Sequence, residues 1–500
     1  MSAWTGSMVA AALALGTRVG DDDVTFTGVA TDTRMLRGGE LFVALVGENH
    51  DGHDYLAAAA AAGARGAVVQ RLPDDSPEAL HTYRVPDTLD ALGRLGRFRR
   101  RRLGARVCAI TGTNGKTTTK DLLRAILTTR YRTHATAGNF NNLVGAPLTL
   151  LAAPDDTEAV IAEVGTNAPG EIARLAAIVE PDAAIITGIA AGHLEGLGDV
   201  DGVLREKTSL LTWLPVGAPA VVADGPESLP ARARVLADGV AVAGTGAGAD
   251  AALRGEDVTV DEEGRVRFRW AGRDVRLRLR GRHNARNALL ALALGRAWGV
   301  ADAAAIEAIE GLDPPKMRAE VHRYGSVTVI ADCYNANPGS VDAAVDLLAS
   351  MPRQGGRIAV LGSMLELGHA AEAIHRATAV SIAERDLDLI VATGMFANAF
   401  APLTARLGEH LIAVADPADA WAAMEPRLTG DEVVLLKGSR GVALERLLPR
   451  FEEQWGVPRP HGEAFGPRGA GTGAGAGSTA ASREHTRNGS STGTAGATDE

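Results

Sequence analysis

Five hundred residues with a 46% hydrophobic share suggest a globular protein of about three domains. A net charge of −10 argues against a nucleic-acid binder, and two cysteines, Cys108 and Cys333, are too few for a disulfide framework. The apolar run at 8–15 lacks a basic segment before it, and no later stretch approaches the ~20 apolar residues of a membrane span. The chain is therefore expected in the cytoplasm, without membrane insertion.

Residues 1–98 read as a small α/β domain. The run at 8–15 is an amphipathic first helix, ELFVALV at 40–46 a strand, 55–63 an Ala-rich helix and AVVQ at 67–70 another strand. TDTR at 31–34 and GENHDGHD at 47–54 are polar and turn-forming. His50, Asp51, His53 and Asp54 could ligate a metal or cap the following helix, and the turn reading is the stronger. Arginines crowd 94–106 with only Phe98 among them, which fits a solvated helix face better than a nucleic-acid patch.

Residues 99–312 form a nucleotide domain built on TGTNGKTTTK at 111–120. A β-prone run at 107–110 precedes it, and Leu122, Leu123, Ile126 and Leu127 follow at helical spacing. Strand, glycine turn and helix make a phosphate-binding loop, in which Gly112 and Gly115 let backbone N–H groups turn inward. The loop runs through Thr113 and Asn114 to Thr118; Lys116 can reach the β- and γ-phosphates, and the Thr117 hydroxyl can ligate Mg²⁺. Ile110 stands where the long form has glycine, so the spacing is the shorter G-x-x-G-K-T.

Beyond the loop, AGNFNNLVGAPLTLL carries Asn139, Asn141 and Asn142, which either meet a polar ligand or cap the next helix. Glu163 ends an apolar strand, where an acid in a doubly wound sheet sits beside bound phosphates and can hold Mg²⁺. His193, Glu195 and Lys207 follow, each weak by itself. A β-meander at 258–280 precedes GRHNARNALLALALG, a helix whose Asn287 can read an adenine edge or cap. Residues 313–457 form a third α/β domain, with Asp332, Asn335 and Asn337 in DCYNANP and strands ending in glycine turns. From 458 to 500 the Gly/Ala/Ser/Thr-rich chain reads as a disordered tail.

In this order the motifs resemble the Mur ligases, ATP-dependent amide-forming enzymes of peptidoglycan precursor synthesis, over about 25–455. TDTR, ELFVALVGENHDGHDY, AGNFNNLVGAPLTLL, DCYNANP and above all LGSMLELG at 361–368 resemble the branch that adds D-alanyl-D-alanine to UDP-muramoyl-tripeptide. The resemblance implies an N-terminal UDP-binding domain, a central P-loop ATPase domain with a mostly parallel sheet and a C-terminal Rossmann-like domain. It implies ATP and two Mg²⁺ ions, held by Thr117 and Glu163 and by Glu163, His193 and Lys207, with Lys207 carbamylated into an oxygen ligand. Asn287 would contact adenine; Arg318 and Asp332 would reach γ-phosphate and ribose on domain closure, with Asn335 and Asn337 in the same cleft. Thr33 and Arg34 would lie in the UDP-sugar region, and Asn139, Asn141, Asn142 and Thr166 would hold the muramoyl-peptide. The partners implied are small molecules only, and the chain is expected as a monomer. Gly188, Ser209 and Met317 depart from the family's usual Asn, acid and Gly.

Overall fold

The computed structural model of the chain describes residues 4–16, 23–74, 76–352 and 355–458. The expected tail, Pro458 apart, lies outside the described residues.

Three sheets, two wholly parallel and one parallel but for its first strand, carry the fold. In the first domain, Val29–Ala30, Leu41–Val43, Gly66–Val69 and His81–Arg84 pair in that order, all parallel. Leu41–Val43 and Gly66–Val69 are buried throughout, which is why they read as continuous apolar runs rather than alternating ones. The loop between them is a capped turn. Asp51 accepts from the His53 backbone N–H at 2.9 Å, and the buried His53 ring accepts from Gln70 N–H through Nε2, also at 2.9 Å. Its other nitrogen therefore carries the proton and faces Asp51.

The helix Thr88–Leu103 starts on Asp87, which accepts from the N–H groups of Leu89 and Asp90, and stops at left-handed Gly104. The expected boundary at 98/99 falls within it. Arg94, Arg97, Arg101 and Arg102 are exposed, as a solvated face requires, but Arg99 and Arg100 turn inward. Arg99, almost wholly buried, donates to Ala153 O at 2.6 Å and Asp155 at 2.7 Å. Arg100 donates to Asp182 at 2.6 Å, and Arg97 and Arg101 pair with Glu180. These acids lie 56 to 83 residues downstream in the second domain, beyond the reach of a local charge count.

The second domain orders its strands Val240–Ala243, Ala220–Ala223, Ala183–Ile186, Arg106–Thr111, Ala159–Glu163, Thr133–Ala135, all parallel. From Arg106–Thr111 the chain first builds one side of the sheet, then crosses to the other. That reversal opens a crevice at the carboxyl ends of Ala159–Glu163, Arg106–Thr111 and Ala183–Ile186, where such sheets bind ligands. An antiparallel meander, Glu256–Val260, Arg265–Trp270 and Arg273–Arg280, leads into the helix His283–Ala297.

The third domain orders Glu320–Tyr324, Val327–Asp332, Val433–Lys437, Arg357–Leu361, Leu389–Thr393, Leu411–Val414, with only the first strand antiparallel. No helix among the described residues is long and apolar enough to cross a membrane.

Candidate active site

The strand Arg106–Thr111 passes through Gly112–Gly115 into the helix Lys116–Thr128, so the helix N-terminus opens on the crevice. Both loop glycines are required by space. A Cβ on Gly112 would lie 2.0 Å from the Thr187 hydroxyl, and one on Gly115 2.3 Å from Asn287 Oδ1. Both have positive φ, +145° and +83°. Lys116 curls over the loop and donates to Gly112 O at 2.8 Å and Thr113 O at 3.3 Å. Burial lowers its proton affinity and Arg318 adds to that, while Glu163 opposes them. Thr118 is buried behind the loop.

Glu163, buried at its strand end, is the hub. Thr117 donates to one carboxylate oxygen at 3.0 Å and Asn141 to the other at 2.9 Å. The three asparagines thus divide. Asn141 orients Glu163, Asn142 caps by accepting from Gly145 N–H at 2.8 Å, and Asn139 is exposed. Thr166 is buried and donates to Ala168 O at 2.8 Å.

Lys207 lies wholly buried on the helix Val200–Thr208, and its ammonium nitrogen has no hydrogen-bond partner among the described residues. Burial pushes its proton affinity well below the lysine range, and the charge of Lys116 pushes it further. His193 sits at φ +55°, before the short helix Leu194–Leu197. Its Nδ1 lies 2.8 Å from a carboxylate oxygen of Glu366, in the LGSMLELG segment. The His193 contact lowers the Glu366 proton affinity, and Lys116 is near enough to contribute. Lys116 lies close enough to Glu163 and to Lys207 for their charges to act on one another, and close enough to Glu366, which His193 touches, to act on it as well.

The third domain closes over it. Arg318 donates to the Thr117 hydroxyl at 3.1 Å, its guanidinium stacked over Tyr334 at 4.2 Å. Asn114 and Asn337 exchange side-chain hydrogen bonds of 3.0 and 2.6 Å. Asp332 pairs with the buried Lys437 at 3.0 Å, and Lys437 also donates to Asn335 O at 2.6 Å. Asn287 donates to Asn284 at 2.8 Å, and Asn284 to Arg280 O at 2.7 Å, so Asn287 joins a side-chain chain rather than capping the helix. Asn287, Arg318, Asp332, Asn335 and Gly115 share a cleft of about 290 Å³. Met317 has φ +58°, a left-handed backbone that accounts for the glycine expected there. The Gly188 carbonyl accepts from Thr113 N–H at 2.9 Å, and Ser209 bonds back to Glu206 O at 2.6 Å. Thr33 and Arg34 lie apart, on a turn of the first domain where exposed Arg34 pairs with Asp32 at 2.6 Å.

Glu366, Lys437, Tyr334 and the Asn141–Glu163 bond were not read from the sequence as site features. Each sits in or just past a strand's carboxyl end, the one signal that could have marked it.

The chain matches the Mur ligase middle domain over residues 110–295, the Mur ligase glutamate ligase domain over 317–440 and the Mur ligase family catalytic domain over 25–100. It is 36% identical to UDP-N-acetylmuramoyl-tripeptide–D-alanyl-D-alanine ligase of Bacillus subtilis, over 84% of this chain and 92% of that one. Against the Escherichia coli enzyme of the same name the identity is 35%, over 86% and 95%. The crystal structure of MurF from Acinetobacter baumannii superposes with a TM-score of 0.81 at 30% identity, covering 91% of this chain and 99% of that one. The MurF ligase of Thermotoga maritima in complex with ADP superposes at 0.73 with 26% identity, covering 86% and 97%. Likeness in sequence and shape over all three sheets admits one conclusion: the chain belongs to the Mur ligase family.

Proposed function

We propose that the chain is an ATP-dependent ligase that adds D-alanyl-D-alanine to UDP-N-acetylmuramoyl-tripeptide, releasing ADP and phosphate, in cytoplasmic peptidoglycan precursor synthesis. The supporting relatives carry that name over most of both chains. The observation that carries the reading is the meeting of Lys116, Thr117 and Glu163 with Arg318 from the third domain at one crevice.

A carboxylate oxygen of the tripeptide attacks the γ-phosphorus of ATP, the bond to the β-phosphate oxygen breaks, and ADP leaves. The neutral amine of the dipeptide then attacks the acyl phosphate carbon. A tetrahedral adduct forms, inorganic phosphate departs with the C–O bonding pair, and the nitrogen gives up a proton. Such chemistry needs positioning and charge neutralisation more than covalent help. Lys116 and Arg318 supply positive charge at the phosphates. Asn287 orients adenine, Asp332 the ribose, and Asn335 and Asn337 line the cleft. Asn139, Asn141, Asn142 and Thr166 hold the muramoyl-peptide, Thr33 and Arg34 the UDP-sugar, and the third domain the dipeptide.

The donors suit hard cations: Thr117 and Glu163 for one Mg²⁺, and Glu163, His193 and Lys207 for a second. When bound, the ions neutralise phosphate charge. A lysine cation cannot ligate, but the Lys207 nitrogen is buried without a hydrogen-bond partner among the described residues, and burial disfavours its charged form. In carbamylation the neutral amine attacks the carbon of CO₂, a C=O bonding pair moves onto oxygen and the nitrogen gives up a proton, which yields a carboxylate-like ligand. The remaining parts of the reading are a monomer whose domains span 1–98, 99–312 and 313–457.

Phosphate release by the purified protein tests the reading. Turnover is expected only with UDP-muramoyl-tripeptide and D-alanyl-D-alanine together. Turnover with another amine would indicate a ligase of different specificity, and ATP binding without turnover would remove catalysis from the reading.

A further inference from the structure

The segment 361–368 leaves the strand Arg357–Leu361 at its carboxyl end and is pinned to its own domain by hydrogen bonds along its length. The Ser363 hydroxyl accepts from Met395 N–H at 3.0 Å, Met364 N–H donates to His375 Nε2 at 2.9 Å, and Leu365 N–H donates to the Ser439 hydroxyl at 2.9 Å. The chain then reaches across to the second domain. The Glu366 carbonyl accepts from Glu195 N–H at 3.4 Å, and a Cβ on Gly368 would lie 2.9 Å from Glu195 Cα. Glu366 itself has φ +64° and His193, opposite it, φ +55°. Two non-glycine residues in left-handed backbone, one on each domain, meet at a 2.8 Å contact between carboxylate and imidazole, at ion-pair distance but without the alignment of a hydrogen bond at Nδ1. Strained backbone of this kind persists where its surroundings over-determine it, and it gathers at functional sites.

A histidine that binds a metal through one ring nitrogen commonly has the other fixed by a carboxylate. We propose that Glu366 is a positioning residue, delivered by the third domain, that fixes the His193 ring through Nδ1 and leaves Nε2 for the metal. The second metal position is then complete only while the third domain is docked. Substrate-domain closure and cation binding become one event, without a hinge residue touching the ion. The inference rests on the proposed metal role of His193 and adds the residue that governs it.

The test is Mn²⁺ binding to the full-length protein with a non-hydrolysable ATP analogue, followed by electron paramagnetic resonance, with kcat and KM measured alongside in Mg²⁺. Glu366→Ala is expected to weaken Mn²⁺ affinity by ~10-fold or more, the scale of lost support to a metal-ligating histidine. Glu366→Gln keeps an oxygen that accepts from Nδ1–H and should recover most of that loss. A plain salt bridge between domains would lower the melting temperature and leave Mn²⁺ affinity within twofold of wild type, which overturns the proposal. Glutamine as damaging as alanine also overturns it, in favour of direct ligation by the carboxylate. Should the alanine variant not fold, Glu366→Leu, which keeps the stem volume, enters the same comparison. Wild-type protein that binds no Mn²⁺, or His193→Ala that binds it normally, removes the role of His193. Sensitivity to His193 with indifference to Glu366 removes this inference alone.

Discussion

A lysine taken wholly out of water keeps its proton only if something nearby compensates the charge, and at Lys207 burial is joined by the repulsion of another cation, Lys116, which outweighs the opposing charge of Glu206. Lys207→Ala should therefore cost ~100-fold or more in phosphate release, and added formate or acetate should restore part of it by placing a carboxylate in the space left behind. Near-normal turnover without rescue would remove the carbamate. Gly115 offers a separate check on the nucleotide side. A methyl there would press within 2.3 Å of Asn287 Oδ1 on a backbone at φ +83°. The strain costs ~1–2 kcal/mol, so ADP should bind Gly115→Ala roughly tenfold more weakly by titration calorimetry. Gly112, Gly115, Lys116 and Thr117 were legible because their chemistry is local: spacing alone sets a phosphate loop. Glu163 was legible from its place at a strand's carboxyl end, whereas His193 and Lys207 were legible only through family likeness, since nothing local links a left-handed histidine and a helical lysine to that acid. Glu366 was quoted within LGSMLELG but had no role, because its partner lies more than 170 residues away.

At the scale of elements, the parallel central sheet implied by the resemblance has strands buried on both faces, which is why they are apolar runs rather than alternating ones. In the arginine helix exposure was inferred from charge, which holds for Arg94, Arg97, Arg101 and Arg102 but not for Arg99, which finds Asp155 and the end of a downstream helix. Arg99→Ala should destabilise the protein by about 2 kcal/mol in urea titration, less than a fully buried pair because Asp155 is partly solvated. The turn at Asp51 makes a pH-dependent counterpart. Burial alone would raise its carboxyl, but the His53 N–H, Arg71 and the His53 ring outweigh it and hold the group at about 2, below the usual 3.8. The folded state thus binds fewer protons than the unfolded one between those values. Stability from Asp51 is full above about pH 4 and drains away as pH falls toward 2. Asp51→Asn should lose about 1 kcal/mol at pH 7 in chemical denaturation, and the gap from wild type should shrink below pH 4.

Across the whole molecule, two of the polar bridges between the second and third domains run through the phosphate loop: Arg318 to Thr117, and the paired amides of Asn114 and Asn337. The loop that grips the nucleotide is thus also the surface on which the third domain closes, and binding and closure share one set of atoms. Asn337 carries a second duty, since its Oδ1 accepts from Ser340 N–H and caps the helix Pro338–Ser350. Alanine there would confuse the two roles, but aspartate separates them. The carboxylate of the Asn337→Asp variant keeps an oxygen for the cap and for the Asn114 amide, yet cannot donate to the Asn114 carbonyl, so one of the two bonds across the cleft is lost. At about 1 kcal/mol for that bond, KM for ATP should rise roughly fivefold while the melting temperature stays put. An unchanged KM would mean that the amide pair follows closure without helping to drive it. A lower melting temperature with unchanged KM would place its whole worth in the helix cap.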